Sequence, residues 1–254
     1  MPKGRPGADS SDLVTSRIGS RMLVDLAAKT FGEKPAFWGR YFTSAASTGL
    51  VEYRHLREGP ILRDNNIRVL PIARQTKRVA GTSAQGAEDA KLNASDILLT
   101  FGADYLKSLG GKVLMFLDVE SAPPLSQAYY EGWASTLISY SQSLSEGGVT
   151  ILPCVYGVQS DNATWNAIAS AAGQGVACHG VWIAHWKWRG CRNVPAWDAA
   201  RVTPAVALPC DVLVWQYAND CHGADGYDCS TTNPGIDFDA FIKQLILPPE
   251  ALVS

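Results

Sequence analysis

Residues 113–120 read VLMFLDVE, and this stretch decides the fold. An unbroken apolar run, rather than an apolar/polar alternation, marks a strand covered on both faces, as in a parallel sheet sheathed by helices. Runs of the same kind recur at 22–24 (MLV), 37–42 (FWGRYF), 69–72 (VLPI), 150–156 (TILPCVY), 181–186 (VWIAHW) and 212–217 (VLVWQY), with a last short piece around 235–237 (GID). Helical stretches lie between them. Residues 83–108 open on Ser83 as an N-cap and keep Ala90, Ile97, Leu98, Phe101 and Leu106 near helical spacing. Residues 126–145 set Tyr130, Trp133, Leu137 and Tyr140 on one face, and 162–172 start from Asn162 as a cap. Strands alternating with helices in this way predict an α/β fold, a single irregular (β/α)8 barrel of the TIM type. An open doubly wound sheet is the alternative, but no Gly-rich dinucleotide or phosphate loop follows the first run. The irregularity is expected at the start, where the first two runs are joined too tightly for a full helix. Residues 1–20 read as a flexible N-terminal arm and 21–254 as the barrel domain.

The chain of 254 residues is 46% hydrophobic and 18% charged, which excludes a disordered protein. Its 22 basic and 24 acidic residues leave a net charge of −2, with no electrostatic footprint for nucleic acid or anionic lipid. No apolar run approaches the roughly 20 residues of a membrane span. The six cysteines all fall at or after position 154, and six of the eight tryptophans lie beyond that point too. This skew raises the question of two domains. It also favours an oxidising destination, secreted or periplasmic, although no export signal is visible at the N-terminus. Cys221 and Cys229 bracket a polar loop and are the pair expected to bridge, while the cysteine and histidine spacings fit no common zinc site.

In a parallel barrel the chemistry lies at the C-terminal ends of the strands. Asp25 ends the first run, Asp118 and Glu120 the fourth, and Asp237 the last. Strand side chains alternate, so Asp118 and Glu120 share a face about 7 Å apart along the strand. Two carboxyl groups so placed repel as anions, which raises the pKa of one of them. A neutral carboxylic acid beside an ionised one is what cleavage of a glycosidic bond needs. Tyr41, Tyr156, Trp182, Trp186, Trp215 and Gln216 sit in or just after strands and suit a sugar, which presents flat C–H faces rimmed by hydroxyls. His185 among them reads as structural. Two other readings use the same residues: an inactive carbohydrate-binding module, or a hydrolase holding a divalent metal on the acids.

Asp25, Phe116-Leu117-Asp118-Val119-Glu120, Tyr156-Gly157, Val181-Trp182-Ile183-Ala184, Trp215-Gln216-Tyr217 and Gly235-Ile236-Asp237-Phe238, in that order, resemble the family 25 glycoside hydrolases, the muramidase-type lysozymes. The resemblance is closer to the glycoside-hydrolase-like domains related to them, in which a segment like Gly39-Arg40-Tyr41 forms the second strand. It implies cleavage of the β-1,4 bond between N-acetylmuramic acid and N-acetylglucosamine in peptidoglycan. Glu120 would be the general acid, Asp118 would stabilise the oxocarbenium-like centre or orient the acetamido group, and Asp25 and Asp237 would support them. The expected partner is a polysaccharide, and the protein is expected to be a monomer that uses no cofactor or metal. The lysozymes usually follow their first Asp with a serine, whereas Leu26-Ala27-Ala28-Lys29 follow Asp25 here, and a long polar segment occupies 43–68.

Overall fold

The computed structural model describes residues 2–42, 51–73, 78–120, 123–223 and 225–250. The first half of the chain forms β1 (Pro6–Asp9), β2 (Arg17–Ile18), β3 (Arg21–Met22), α1 (Leu23–Phe31), β4 (Phe37–Phe42), α2 (His55–Asp64), β5 (Arg68–Ala73), α3 (Ser83–Phe101), α4 (Ala103–Ser108) and β6 (Lys112–Asp118). The second half adds α5 (Gln127–Leu144), β7 (Thr150–Val158), α6 (Asn162–Gly173), β8 (Val181–Arg189), α7 (Ala199–Val202), β9 (Val212–Cys221), β10 (Tyr227–Thr232) and α8 (Phe238–Lys243). Strands β1-β10-β9-β8-β7-β6-β5-β4 close into a barrel, and β2 and β3 make a small separate ribbon. Neighbouring barrel strands are parallel except where β10 runs antiparallel to both β1 and β9.

Strand β6 shows why the apolar runs are unbroken. Leu114 and Phe116 point into the barrel, where they meet Phe37, Tyr41, Ile72, Tyr156 and Trp182. Val113, Met115, Leu117 and Val119 point outward into the layer shared with the helices. Both faces of the strand are dry from Val113 onward, so polar residues find no place there until Asp118. Helices α3 and α5 lie side by side in that outer layer. Their crossing is close because a Cβ on Gly132 would stand 2.0 Å from the Ser83 carbonyl oxygen, and one on Gly86 would stand 2.1 Å from that of Tyr129. The caps sit one residue before the expected ones for α3 and α6: Thr82 forms a capping box with Gln85, and Asp161 accepts from the Thr164 amide.

Two of the expected strands lie elsewhere. Residues 22–24 do not form a barrel strand: Leu23 and Val24 open α1, which packs its apolar face against the barrel. The first strand is β1, Pro-Gly-Ala-Asp, inside the stretch expected to be a flexible arm. It carries no apolar run because ladder partners on both edges hold it, β4 on one side and β10 on the other. The Phe37 ring also covers Gly7 so closely that a Cβ there would stand 2.0 Å from the ring. With β1 at its true place, α1 becomes an ordinary crossover helix and the barrel is regular at its start. The irregularity is at the end. The eighth strand is β10, Tyr-Asp-Cys-Ser-Thr-Thr, joined to β9 by a hairpin rather than by a helix. The Gly235-Ile236-Asp237 piece instead leads into α8, whose Phe241, with Leu245 beyond it, plugs the N-terminal end of the barrel. Ile246 then bridges to Val69, and the Leu114 amide donates to the Gln244 carbonyl, so the C-terminal segment fills the splayed start of the β5–β6 pair.

The bridge expected between Cys221 and Cys229 is replaced by Cys191–Cys221. Strand register is the reason: in the β9–β10 hairpin Cys221 faces Tyr227 while Cys229 faces Ala218. Across β8–β9, Arg189 faces Asn219, which brings the residues two further on, 191 and 221, side by side. Cys229 is left as a buried thiol. Of the polar segment 43–68, residues 55–64 form α2, and 43–50 lie outside the described residues. No described helix is long and apolar enough to cross a membrane.

Candidate active site

Asp9 ends β1, Asp118 ends β6 with Glu120 just beyond it, and Asp228 opens the antiparallel β10. All four therefore reach the same end of the barrel, the one to which the parallel strands point their C-termini. At their centre is Gln216 of β9, which is fully buried. Its Nε2 donates to both oxygens of Asp9, at 3.2 and 3.3 Å, and to Asp228 Oδ2 at 3.1 Å. Its Oε1 accepts from the Trp186 ring N–H at 2.7 Å and lies 3.0 Å from the Tyr156 hydroxyl. An indole nitrogen can only donate, so Trp186 fixes which way the Gln216 amide faces.

The Tyr156 hydroxyl also lies 2.7 Å from Glu120 Oε2. It has one hydrogen to give, and Gln216 Oε1 can only accept. Both contacts are hydrogen bonds at once only when Glu120 brings a hydrogen of its own, donating to Tyr156 while Tyr156 donates to Gln216. Burial pushes the Glu120 carboxyl up to about 8 and the neighbouring Asp118 charge adds to the shift, while the Tyr156 contact works against it. Asp118, raised by burial to about 7, accepts the Glu120 backbone N–H at 3.0 Å, which holds it below where burial alone would put it. Asp228 is raised to about 6 by burial, and the Asp220 amide pulls against that shift. Asp9 is pushed well above the usual carboxylate range by burial first and then by Asp228 and Glu120. Glu120 Oε1 is buried and has no partner among the described residues.

The expected residues divide. Asp118, Glu120, Tyr156, Gln216 and Trp186 meet at this mouth. Tyr41 joins them, lining with Asp9, Ser10, Asp220 and Asp228 a polar cavity of about 190 Å³. A larger hollow, about 330 Å³, lies at the other end of the barrel between Arg5, Lys34, Arg68 and Phe238; it offers a single carboxylate, Glu33, and no pair for acid–base work. Asp25 is not part of the site: it is exposed in the first turn of α1. Asp237 is not either, since it caps α8 at the opposite end, its carboxylate accepting from the Ala240 amide at 3.0 Å. Trp215 points outward, its ring N–H on the His185 carbonyl and its edge against Trp197, so it does not face the mouth. Trp182 is wholly buried inside the barrel and stacks on Tyr156 at 4.3 Å, which makes it a support for that tyrosine rather than a surface for ligand. His185 is held by Arg201 through both ring nitrogens, in keeping with its structural reading.

Asp9 and Asp228 were missed. For Asp9 a signal existed: Asp9-Ser10 has the Asp-Ser step that the lysozyme resemblance leads one to seek at Asp25. For Asp228 the signal was weak, because YDCSTT is neither apolar nor bounded by a helix. Arg40, the middle of Gly39-Arg40-Tyr41, ties the mouth together from behind. Fully buried, it donates to the Ser10 carbonyl at 2.6 Å and the Val51 carbonyl at 3.0 Å, and its Nε lies 2.8 Å from Glu58 Oε2. Glu58 in turn accepts from the Val14 and Arg54 amides, both at 2.9 Å. Among the described residues, the group with metal-ligating geometry is Cys191, Cys221 and His222, and its two sulfurs are bonded to each other.

No family model matches the chain, and no curated protein matches it. Solved structures do. The barrel superposes on an uncharacterized protein of B. stearothermophilus over 96% of this chain and all of that one, with a TM-score of 0.68 at 22% identity. It also superposes on the spore cortex lytic enzyme SleM of Clostridium perfringens, over 93% of this chain and 69% of that one (TM-score 0.52, 13% identity). The chain shares its barrel with lytic enzymes. A third match is the catalytic domain of endolysin ply40 from bacteriophage P40 of Listeria monocytogenes, over 95% and 98% of the two chains (TM-score 0.50, 13% identity).

Proposed function

We propose that this protein is a glycoside hydrolase of bacterial cell-wall peptidoglycan, with Glu120 as its general acid. The observation that carries the reading is the contact chain Glu120–Tyr156–Gln216 beside ionisable Asp118, in which a proton on Glu120 lets both contacts be hydrogen bonds. The shared barrel with a spore cortex lytic enzyme and an endolysin supports the substrate class. In the reaction Glu120 gives its proton to the glycosidic oxygen as the bond to the anomeric carbon breaks. Asp118 stabilises the positive charge that develops there, or orients the acetamido group of the sugar. Water then supplies hydroxide to that carbon and returns a proton to Glu120. Asp9 and Asp228 act through Gln216: they hold its amide, and Gln216 holds Tyr156 on the acid. The half-exposed ring of Trp186 offers a face for a sugar at the rim. Action outside the cytoplasm fits the Cys191–Cys221 disulfide.

The test is mass spectrometry of purified peptidoglycan after digestion. N-Acetylmuramic acid at the new reducing end is expected; N-acetylglucosamine there, or a cut peptide bond, would replace the assignment, and saccharide binding without any new end would point to an inactive carbohydrate-binding module. Digestion should persist in chelator.

A pH profile follows from the same carboxyls. Activity needs Glu120 protonated and a partner carboxylate ionised, so kcat/KM should trace a bell. The alkaline limb falls near the value of about 8 to which Glu120 is raised. The acid limb lies in the range of about 6 to 7 set by Asp228 and Asp118, as apparent values of the cluster as a whole. A profile still flat at pH 9 would remove Glu120 from the role of acid.

A further inference from the structure

We infer that Cys178 and Cys210 form a second disulfide, which closes the N-terminal end of the β8–β9 pair as Cys191–Cys221 closes its C-terminal end. Backbone register places the two residues together independently of their side chains. Val181 faces Val212 at the start of the parallel β8–β9 ladder, and Cys178 and Cys210 stand three and two residues before those positions. At the other end Arg189 faces Asn219, and the bonded Cys191 and Cys221 stand two residues after them. The side chains agree: the Cys178 and Cys210 sulfurs are 2.7 Å apart, nearer than unbonded sulfurs pack. Cys154 and Cys229 are buried, one on β7 and the other on β10, and neither has a sulfur partner of this kind.

The crossover between these strands explains the need. Between β6 and β7 the chain inserts the 18-residue α5, which buries Tyr130, Trp133 and Leu137 against the sheet. Between β8 and β9 the helical part is α7, four residues long with Val202 its buried residue. The crossover packs Val194, Val202, Trp197, Val206 and Leu208 on the core without a long helix, and covalent closure at both ends restrains it in the folded state and limits the unfolded chain. The two closed loops, 178–210 and 191–221, overlap, so together they lock the strands that carry Trp186 and Gln216.

Formation is an ordinary exchange. The Cys178 thiol is held below the usual thiol range, first by its contact with Cys210. As thiolate it attacks a small-molecule disulfide such as oxidised glutathione, releasing one glutathione thiol and leaving a mixed disulfide. Cys210 then displaces the second glutathione as thiol. Two protein thiols are oxidised and one disulfide is reduced to two thiols.

The full chain, held in excess oxidised glutathione and then denatured without reductant in iodoacetamide, reads the outcome by peptide mapping. The expected result is alkylation confined to Cys154 and Cys229, with one cross-linked peptide pair joining Cys178 to Cys210. Alkylation of Cys178 and Cys210, or a link from either to Cys154, overturns the inference. A second reading uses the Cys191→Ser/Cys221→Ser protein, in which Tm should still fall on adding dithiothreitol. An unchanged Tm there also overturns it.

Discussion

Glu120→Gln should lower kcat/KM on peptidoglycan by about 10²- to 10⁴-fold, the usual contribution of a positioned general acid. The substitution removes the transferable proton and little else. Glu120 is already uncharged at neutral pH, its carboxyl raised to about 8, so the amide is a close neutral copy of it. The Gln side chain can still donate to the Tyr156 hydroxyl, which keeps Tyr156 on Gln216. The loss should therefore appear in kcat, with saccharide affinity and Tm close to those of the parent. Release of reducing ends at the parent rate would end the assignment. A stability measurement accompanies it. Because the folded carboxyl holds its proton more tightly than the unfolded one, its stabilising contribution is full below about 4.5 and is lost as pH rises through about 8. Asp118 and Asp228 act in the same direction. Tm of the parent should thus fall between pH 4.5 and 8.5, and Glu120→Gln should flatten the fall. A Tm that rises across this window in the parent would contradict the burial of these groups as protonated acids.

The largest loss of stability should come from Arg40→Met, about 3–5 kcal/mol by urea unfolding, the usual cost of removing one partner of a buried ion pair. Arg40 and Glu58 are both fully buried, so the substitution leaves a carboxylate in the interior with no cation beside it. It also leaves the Ser10 and Val51 carbonyls without their donor. The double variant Arg40→Met/Glu58→Leu should recover part of that loss, because it removes the stranded charge, although the Val14 and Arg54 amides then lose their acceptor. A double variant no better than Arg40→Met would show that the carbonyls, not the charge, dominate. Since Ser10 follows Asp9 directly, the single variant should also lower activity under conditions where it is still folded.

Much of the barrel was legible because parallel strands sheathed by helices must be apolar on both faces. The runs at 37–42, 69–72, 150–156, 181–186 and 212–217 lie in barrel strands, 113–119 does so as far as Asp118, and 126–145 covers α5. The two strands that were misplaced, β1 and β10, are those with no apolar run: PGAD and YDCSTT owe their extended form to ladder partners far away in sequence. Each carries one of the missed acids. Trp215 was misassigned for a related reason. An unbroken apolar run does not say which residues point inward, and Trp215 lies one position out of phase with inward Gln216.

By itself, then, the sequence determined an α/β barrel and the neighbourhood of Asp118, Glu120, Tyr156 and Gln216, because these depend on the hydrophobic burial of parallel strands and on where each apolar run ends. Barrel closure decided the rest. It brings Asp9 from the beginning of the chain and Asp228 from near its end onto the two sides of one amide, Gln216, and it sends Asp25 and Asp237 away from the mouth. The raised Glu120 carboxyl also comes from closure, since burial in the assembled mouth and the charge of Asp118 lift it, and no local pattern records that burial.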